Sequence, residues 1–252
     1  MSATSAVAGA AATLAAVALA AGGYAYAAMW PASQLFGHAV IGGPDAREFA
    51  LTYDDGPNDP YTQQLLDVLA AHEVRATFFL IGRFVRQRPD IARAIRAAGH
   101  LVGNHTMTHP VLLFQSPKRV REELAGCNAA IEDALGEPVR YFRPPHGARR
   151  PDVLRAVRDL GLTPVLWNAM GYDWKPTTAD AVLKNLQKGI RRNQARGAGS
   201  NLLLHDGGQA SIGQDRSHSV LATARLLENT DRQVRFVTVD AWNKGSAVRE
   251  ER

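Results

Sequence analysis

From Glu48 onward, short apolar runs alternate with longer segments of helical spacing, and this alternation constrains the fold more than any other feature. The runs cover 49–53, 76–81, 100–103, 139–142, 163–167, 201–204 and 234–239. Between them, helical spacing covers 60–72, 89–98, 117–135, 151–160, 178–191 and 217–228. Several of these helices carry proline just inside the first turn, and Ser116-Pro117 forms a good N-cap and N1 pair. Strand–helix alternation repeated this often predicts a parallel sheet with crossover helices. The expected architecture is an α/β, deformed (β/α) barrel with about seven parallel strands, preceded by an N-terminal apolar segment. A chain of 252 residues, 46% of them hydrophobic, has enough material for one such domain.

The net charge of +5 is consistent with an anionic neighbour such as an acidic membrane or wall polymer. The basic residues are spread along helices, with no basic stripe interleaved with aromatics, so nucleic acid is not expected as a partner. No obligate protein partner is evident. The single cysteine, Cys127, excludes an internal disulfide framework and a cysteine-rich zinc site. With Val120, Leu124, Ile131 and Leu135 it forms one helical stripe, which predicts a small core residue rather than a nucleophile.

The first 44 residues hold no charged side chain and one histidine, His38. Residues 6–30 are Ala-rich and long enough for a membrane segment, but no Lys or Arg forms a secretory n-region. Ala25-Tyr26-Ala27 offers a small-x-small cleavage site, whereas Tyr24, Tyr26 and Trp30 equally suit an aromatic belt behind an uncleaved anchor. A disordered extension on a cytoplasmic protein is the third possibility. The domain reading is a signal peptide or anchor at 1–30, a linker at 31–45, the α/β domain at 46–241 and a charged tail at 242–252.

Polar residues gather where the runs end. Gly56-Pro57 stops the first run behind Asp54-Asp55, so both carboxylates lie at a strand's C-terminal end, where they can converge on one pocket. One acid can hold a metal while the other handles a proton. After the third run come His105 and His109, four residues apart; one helical turn would let both grip one ion and complete a two-His, one-carboxylate site. Arg143-Pro144-Pro145-His146-Gly147 follows the fourth run and joins an arginine suited to a carboxylate with a rigid turn. Asp173-Trp174 follows the fifth, and His205 ends the sixth.

Five motifs in this order give a specific resemblance. Thr52-Tyr53-Asp54-Asp55-Gly56, His105-Thr106-Met107-Thr108-His109, Arg143-Pro144-Pro145-His146-Gly147, Asp173-Trp174 and Leu202-Leu203-Leu204-His205 resemble those of the polysaccharide deacetylases, the NodB-homology domain of carbohydrate esterase family 4. The resemblance runs from about residue 46 to 240. It implies a hydrolase of carbon–nitrogen bonds that releases acetate from N-acetylglucosamine units of a peptidoglycan- or chitin-like glycan. It also implies a divalent metal on Asp55, His105 and His109, with zinc expected first and Co2+ or Mn2+ as alternatives. Asp54 is then the general base, Arg143 its partner, His205 the general acid beside Asp173, the backbone N–H of His146 an oxyanion donor, and Trp174 a candidate for the pocket wall. Trp167 is expected to pack the barrel. Three positions depart from the family: Tyr53 replaces Phe, His146 replaces an aromatic, and Met170 stands where many members have Asp. The expected location is the bacterial cell envelope, exported or anchored. A non-catalytic glycan-binding domain and a cyclic-amide hydrolase of the same fold are the alternatives.

Overall fold

A computed structural model of the chain describes residues 3–243. It contains eight strands and eight α-helices in the order α1 (Ala3–Met29), β1 (Glu48–Gly56), α2 (Tyr61–Ala71), β2 (Thr77–Leu80), α3 (Gly82–Gln87), α4 (Pro89–Ala97), β3 (Leu101–Asn104), α5 (Pro117–Leu135), β4 (Tyr141–Phe142), α6 (Pro151–Asp159), β5 (Thr163–Pro164), β6 (Ala169–Met170), α7 (Ala179–Gln194), β7 (Ser200–His205), α8 (Ser217–Glu228) and β8 (Arg235–Phe236). Every strand pair is parallel, in the order β5-β4-β3-β2-β1-β7-β6, with β8 pairing the start of β1.

The predicted run 163–167 is divided. Its first part pairs with β4, a bridge joins Val165 to Val40, and the continuation Ala169–Met170 pairs with β7. Pro164 lacks an N–H for a regular ladder, so the segment bends across the gap and links both ends of the sheet. Counting it once gives seven strand segments around a deformed (β/α) barrel. The run 234–239 pairs over only two residues before becoming a 3₁₀ turn at Val239–Trp242. Helices α1 and α3 add to the six that the periodicity predicts.

Alternation along β1 sorts its side chains. Phe49, Leu51 and Tyr53 enter the large core between sheet and helices, where Tyr53 Oη donates to Thr223 Oγ1 of α8 at 3.0 Å. Complete burial of a side chain such as Leu51 contributes about 1.5–3 kcal/mol. Ala50 belongs to a second cluster with Val40, Phe79, Tyr141, Val165 and Val239, and Thr52 reaches β7 through Asn201. The face that carries Ala50 and Thr52 therefore also carries Asp54.

The helices stop and start as their end residues dictate. Ser116 Oγ accepts from Arg119 N–H, Pro117 occupies the first turn of α5, and Gly136 closes that helix in the left-handed region at φ 72°. Cys127 is fully buried on the expected stripe, and burial pushes its thiol up to about 12, so the inert core role is correct.

α1 realises the N-terminal segment as a 27-residue helix. Among the described residues no helix is long and apolar enough to cross a membrane. Of the 1–30 and 242–252 segments, Met1, Ser2 and residues 244–252 lie outside the described residues.

Candidate active site

Parallel strands bring all their C-terminal ends to one mouth, and a cleft of about 500 Å³ opens there. Asp54, Asp55, His105, His109, His146, Trp174 and His205 all line it, as do Trp167 and Met170. That volume falls within the roughly 300–1,000 Å³ of small-ligand pockets.

The adjacent carboxylates converge by a device that sequence spacing did not show. β1 runs on to Gly56, and its register against β2 shifts between Asp54 and Gly56, so Asp55 occupies a β-bulge with φ 74°. The extra residue cancels the up–down alternation, and both acids reach the cleft. The two histidines likewise converge without the expected helical turn. Residues 105–110 form an irregular loop in which Thr106 and His109 have φ of 69° and 63°. Left-handed backbone at three non-glycine residues is costly, so its concentration here marks a site held by its surroundings.

Those surroundings are polar and buried. Glu123 of α5 accepts from Thr108 N–H at 2.7 Å and from Thr108 Oγ1 at 2.6 Å, tying the histidine loop to the helix. Asn104 Oδ1 accepts from Thr106 N–H at 2.7 Å, while its amide donates to Leu124 O and Asn128 Oδ1. Neither Glu123 nor Asn104 was identified from sequence; the signal was a polar residue inside an apolar stripe or strand.

Asp55, His105 and His109 form, among the described residues, the one cluster of three such side chains whose ligand atoms all lie within 4.8 Å of one another. Asp55 Oδ1 lies 3.4 Å from His105 Nε2 and 3.2 Å from His109 Nε2. Burial opposes ionisation of Asp55, but the His105 and His109 rings beside it outweigh that effect and hold the carboxyl well below the usual range. His105 Nδ1 donates to Arg143 O at 2.8 Å, which leaves its Nε2 lone pair facing the cluster. Asp55 Oδ1 and His109 Nδ1 are buried without hydrogen-bond partners. Two imidazoles and an orphaned carboxylate oxygen fit a divalent cation with open coordination positions.

Asp54 is a different kind of acid. Its Oδ1 accepts from Arg143 Nη1 at 2.8 Å, and its Oδ2 lies 3.8 Å from His105 Nε2. Arg143 is fully buried and packs over the Phe79 ring at 4.3 Å. Its Nη1 also donates to Thr52 Oγ1 at 2.8 Å, and its Nη2 to Leu166 O and Asn201 Oδ1 at 3.2 and 3.3 Å. Asn201 and Thr52 therefore anchor this guanidinium, while Met170 joins Trp167 and Leu203 on the apolar cleft wall. Trp167 is both a packing residue, as expected, and a wall of the cleft.

On the opposite side, His205 Nδ1 donates to Asp173 Oδ1 at 2.9 Å and His205 N–H donates to Oδ2 at 2.7 Å. Ser219 Oγ donates to Oδ2 as well, at 2.7 Å. Burial alone disfavours imidazolium, but the Asp173 carboxylate overcomes it and pushes His205 up to about 9. The Trp174 ring covers His205 edge to face, with centroids 5.4 Å apart. His146, at φ 59° in the turn Pro145–Gly147, packs edge to face on His109 at 4.9 Å, and burial keeps its ring below the usual histidine range.

Comparison with known proteins agrees with this geometry. The sequence profile described as polysaccharide deacetylase matches residues 42–165. A chitooligosaccharide deacetylase of Sinorhizobium fredii is 41% identical over 166 residues, covering 66% of this chain and 74% of the relative. A peptidoglycan-N-acetylglucosamine deacetylase of Bacillus cereus is 34% identical over 193 residues, covering 75% and 85%. A crystal structure of a peptidoglycan N-acetylglucosamine deacetylase with a bound N-oxidanyl-benzamide superposes with a TM-score of 0.72 at 29% identity, covering 81% of this chain and 91% of the other. With its five motifs gathered at one barrel mouth, the chain belongs to the polysaccharide deacetylase family of hydrolases, carbohydrate esterase family 4.

Proposed function

We propose that this protein is a metal-dependent deacetylase of N-acetylglucosamine units in a peptidoglycan- or chitin-like glycan. One observation carries the reading: a buried two-His, one-carboxylate cluster is flanked in a single cleft by a free-standing base pair, Asp54 with Arg143, and by a separate acid pair, His205 with Asp173. The names of the relatives, which act on chitooligosaccharide and peptidoglycan, support the substrate class.

Asp55, His105 and His109 would hold the divalent cation, zinc first and Co2+ or Mn2+ otherwise. When bound there, such an ion polarises an amide carbonyl and lowers the pKa of water. Asp54 accepts the proton of the attacking water, with Arg143 fixing the direction of its carboxylate. The backbone N–H of His146 donates to the developing oxyanion; a donor of this kind contributes about 3–4 kcal/mol to the barrier. His205, kept protonated by Asp173, delivers a proton to the departing sugar amine, so acetate and a glucosamine unit are released. Trp174 shields this pair and offers a ring face to the sugar. The Ala-rich N-terminus and net charge of +5 support an envelope location.

The test is acetate release from N-acetylglucosamine oligomers by the full chain, stripped of metal and resupplied with zinc, beside Asp54→Asn. Release that needs metal and is lost in the variant is expected. A folded, metal-loaded protein that releases no acetate from oligomers or from peptidoglycan overturns the reading.

A further inference from the structure

The end of α1 forms part of the cleft. Met29 and Pro31 line it together with His146 and Trp167, although they lie in the stretch that sequence reading placed across an anchor and a linker. Ala27, Ala28 and Ser33 are buried, whereas Met29 and Trp30 are open to solvent. The segment is thus seated on one side and exposed on the other.

Arg149 seats it. This side chain is 1% exposed, and burial lowers its pKa with no carboxylate acting in the other direction. Its guanidinium is satisfied by main-chain oxygens instead: Nη1 donates to Gly147 O at 3.0 Å, and Nη2 donates to Trp30 O at 2.9 Å and Ser33 O at 2.6 Å. Its backbone N–H donates to Ala28 O at 3.0 Å. Three of these acceptors, the carbonyls of Ala28, Trp30 and Ser33, lie at or just beyond the C-terminal end of α1, where the helix dipole is negative and orphan carbonyls need donors. A buried guanidinium loses several kcal/mol of hydration, so it is retained only where such acceptors are present. The same side chain grips Gly147 O, and therefore the turn that carries His146 into the cleft. On its other side Gly147 lies close to the Trp167 ring, where an added Cβ would be 3.0 Å from Cη2.

We propose that residues 27–33 are a permanent wall of the glycan cleft, with Met29 and Pro31 as its apolar contact surface for an N-acetylhexosamine chain and Arg149 as the positioning residue that fixes this wall to the His146 turn. The proposal rests on the deacetylase reading and extends it to a subsite.

The experiment is steady-state kinetics of acetate release from N-acetylglucosamine oligomers by the full chain, its Met29→Ala and Met29→Trp variants, Arg149→Met and Arg149→Lys. Met29 is half-exposed, so its replacement leaves folding intact. For Met29→Ala, KM rises about 5- to 10-fold, on the scale of one lost apolar contact, and kcat stays within twofold. For Arg149→Met, kcat falls at least about tenfold, and Arg149→Lys recovers part of it. Wild-type protein that binds zinc but releases no acetate refutes the deacetylase reading. Wild-type release with both Met29 variants kinetically unchanged refutes the wall.

Discussion

Replacing Asp173 by Asn tests the assignment of His205 as the acid, because the side chain keeps one acceptor oxygen for the imidazole while the negative charge and the second acceptor are lost. In the wild type, His205 is raised from 6.5 to about 9, against the effect of its own burial, and Asp173 is the main cause. That rise corresponds to roughly 3 kcal/mol in favour of the imidazolium. Without that carboxylate, burial draws the imidazole back to 6.5 or below. At pH 8 the protonated fraction then falls from about 0.9 to about 0.03, so kcat/KM drops roughly 30-fold. Near pH 5.5 both enzymes are mostly protonated, and the deficit shrinks to a few-fold. The assay is the pH profile of acetate release with both proteins in the same metal state, since a cation at Asp55 offsets the Asp55 field equally in each. An alkaline limb in Asp173→Asn within about half a unit of wild type would refute His205 as the proton donor.

Four further outcomes are expected. Asp54→Asn lowers kcat by about 10²–10⁴-fold, as for loss of a general base, and leaves zinc affinity by calorimetry within a few-fold. His109→Ala removes one of three ligands, so zinc binding weakens by at least about tenfold and the added thermal stability from zinc shrinks accordingly. Cys127→Ala costs about 1 kcal/mol in urea unfolding through a small buried cavity and leaves kcat unchanged, which separates packing from chemistry. Because the folded pKa of His205 lies above its unfolded 6.5, the Asp173 pair stabilises the metal-free fold fully below pH 6.5; the urea midpoint should then fall as pH rises from 6.5 through about 9, a decline absent in Asp173→Asn.

Much of the fold was legible because parallel barrels write themselves as alternating periods. Phe49, Leu51 and Tyr53 could be placed toward the helices, and Cys127 in the core, from spacing alone. The seam at 163–170 was not legible, since one bent segment serves both edges of the sheet and its second pairing depends on a partner 33 residues away. The motifs picked out residues that the fold gathers around one cleft, whereas the local geometry that joins them was misread at His105 and His109. A helical turn and a loop with two left-handed residues can both bring such a pair together, and residue spacing does not distinguish them. Asn201 and Glu123 were missed for a different reason: each acts through another polar group, Arg143 or Thr108, that only the folded chain brings near. Arg149 was passed over because its partners are main-chain oxygens, which carry no sequence signature.

The bulge at Asp55 bears on how this active site tolerates change. On the proposed reading two neighbouring codons specify two separate tasks, a base and a metal ligand, so a substitution at Asp54 or Asp55 should remove one and leave the other to be measured by itself. A one-residue insertion or deletion within β1 behaves otherwise, because it moves the surplus residue and turns the carboxylates relative to the histidines and Arg143 together. The strand is permissive to replacement and intolerant of miscounting, so mutational libraries directed at it should vary residue identity while holding length constant.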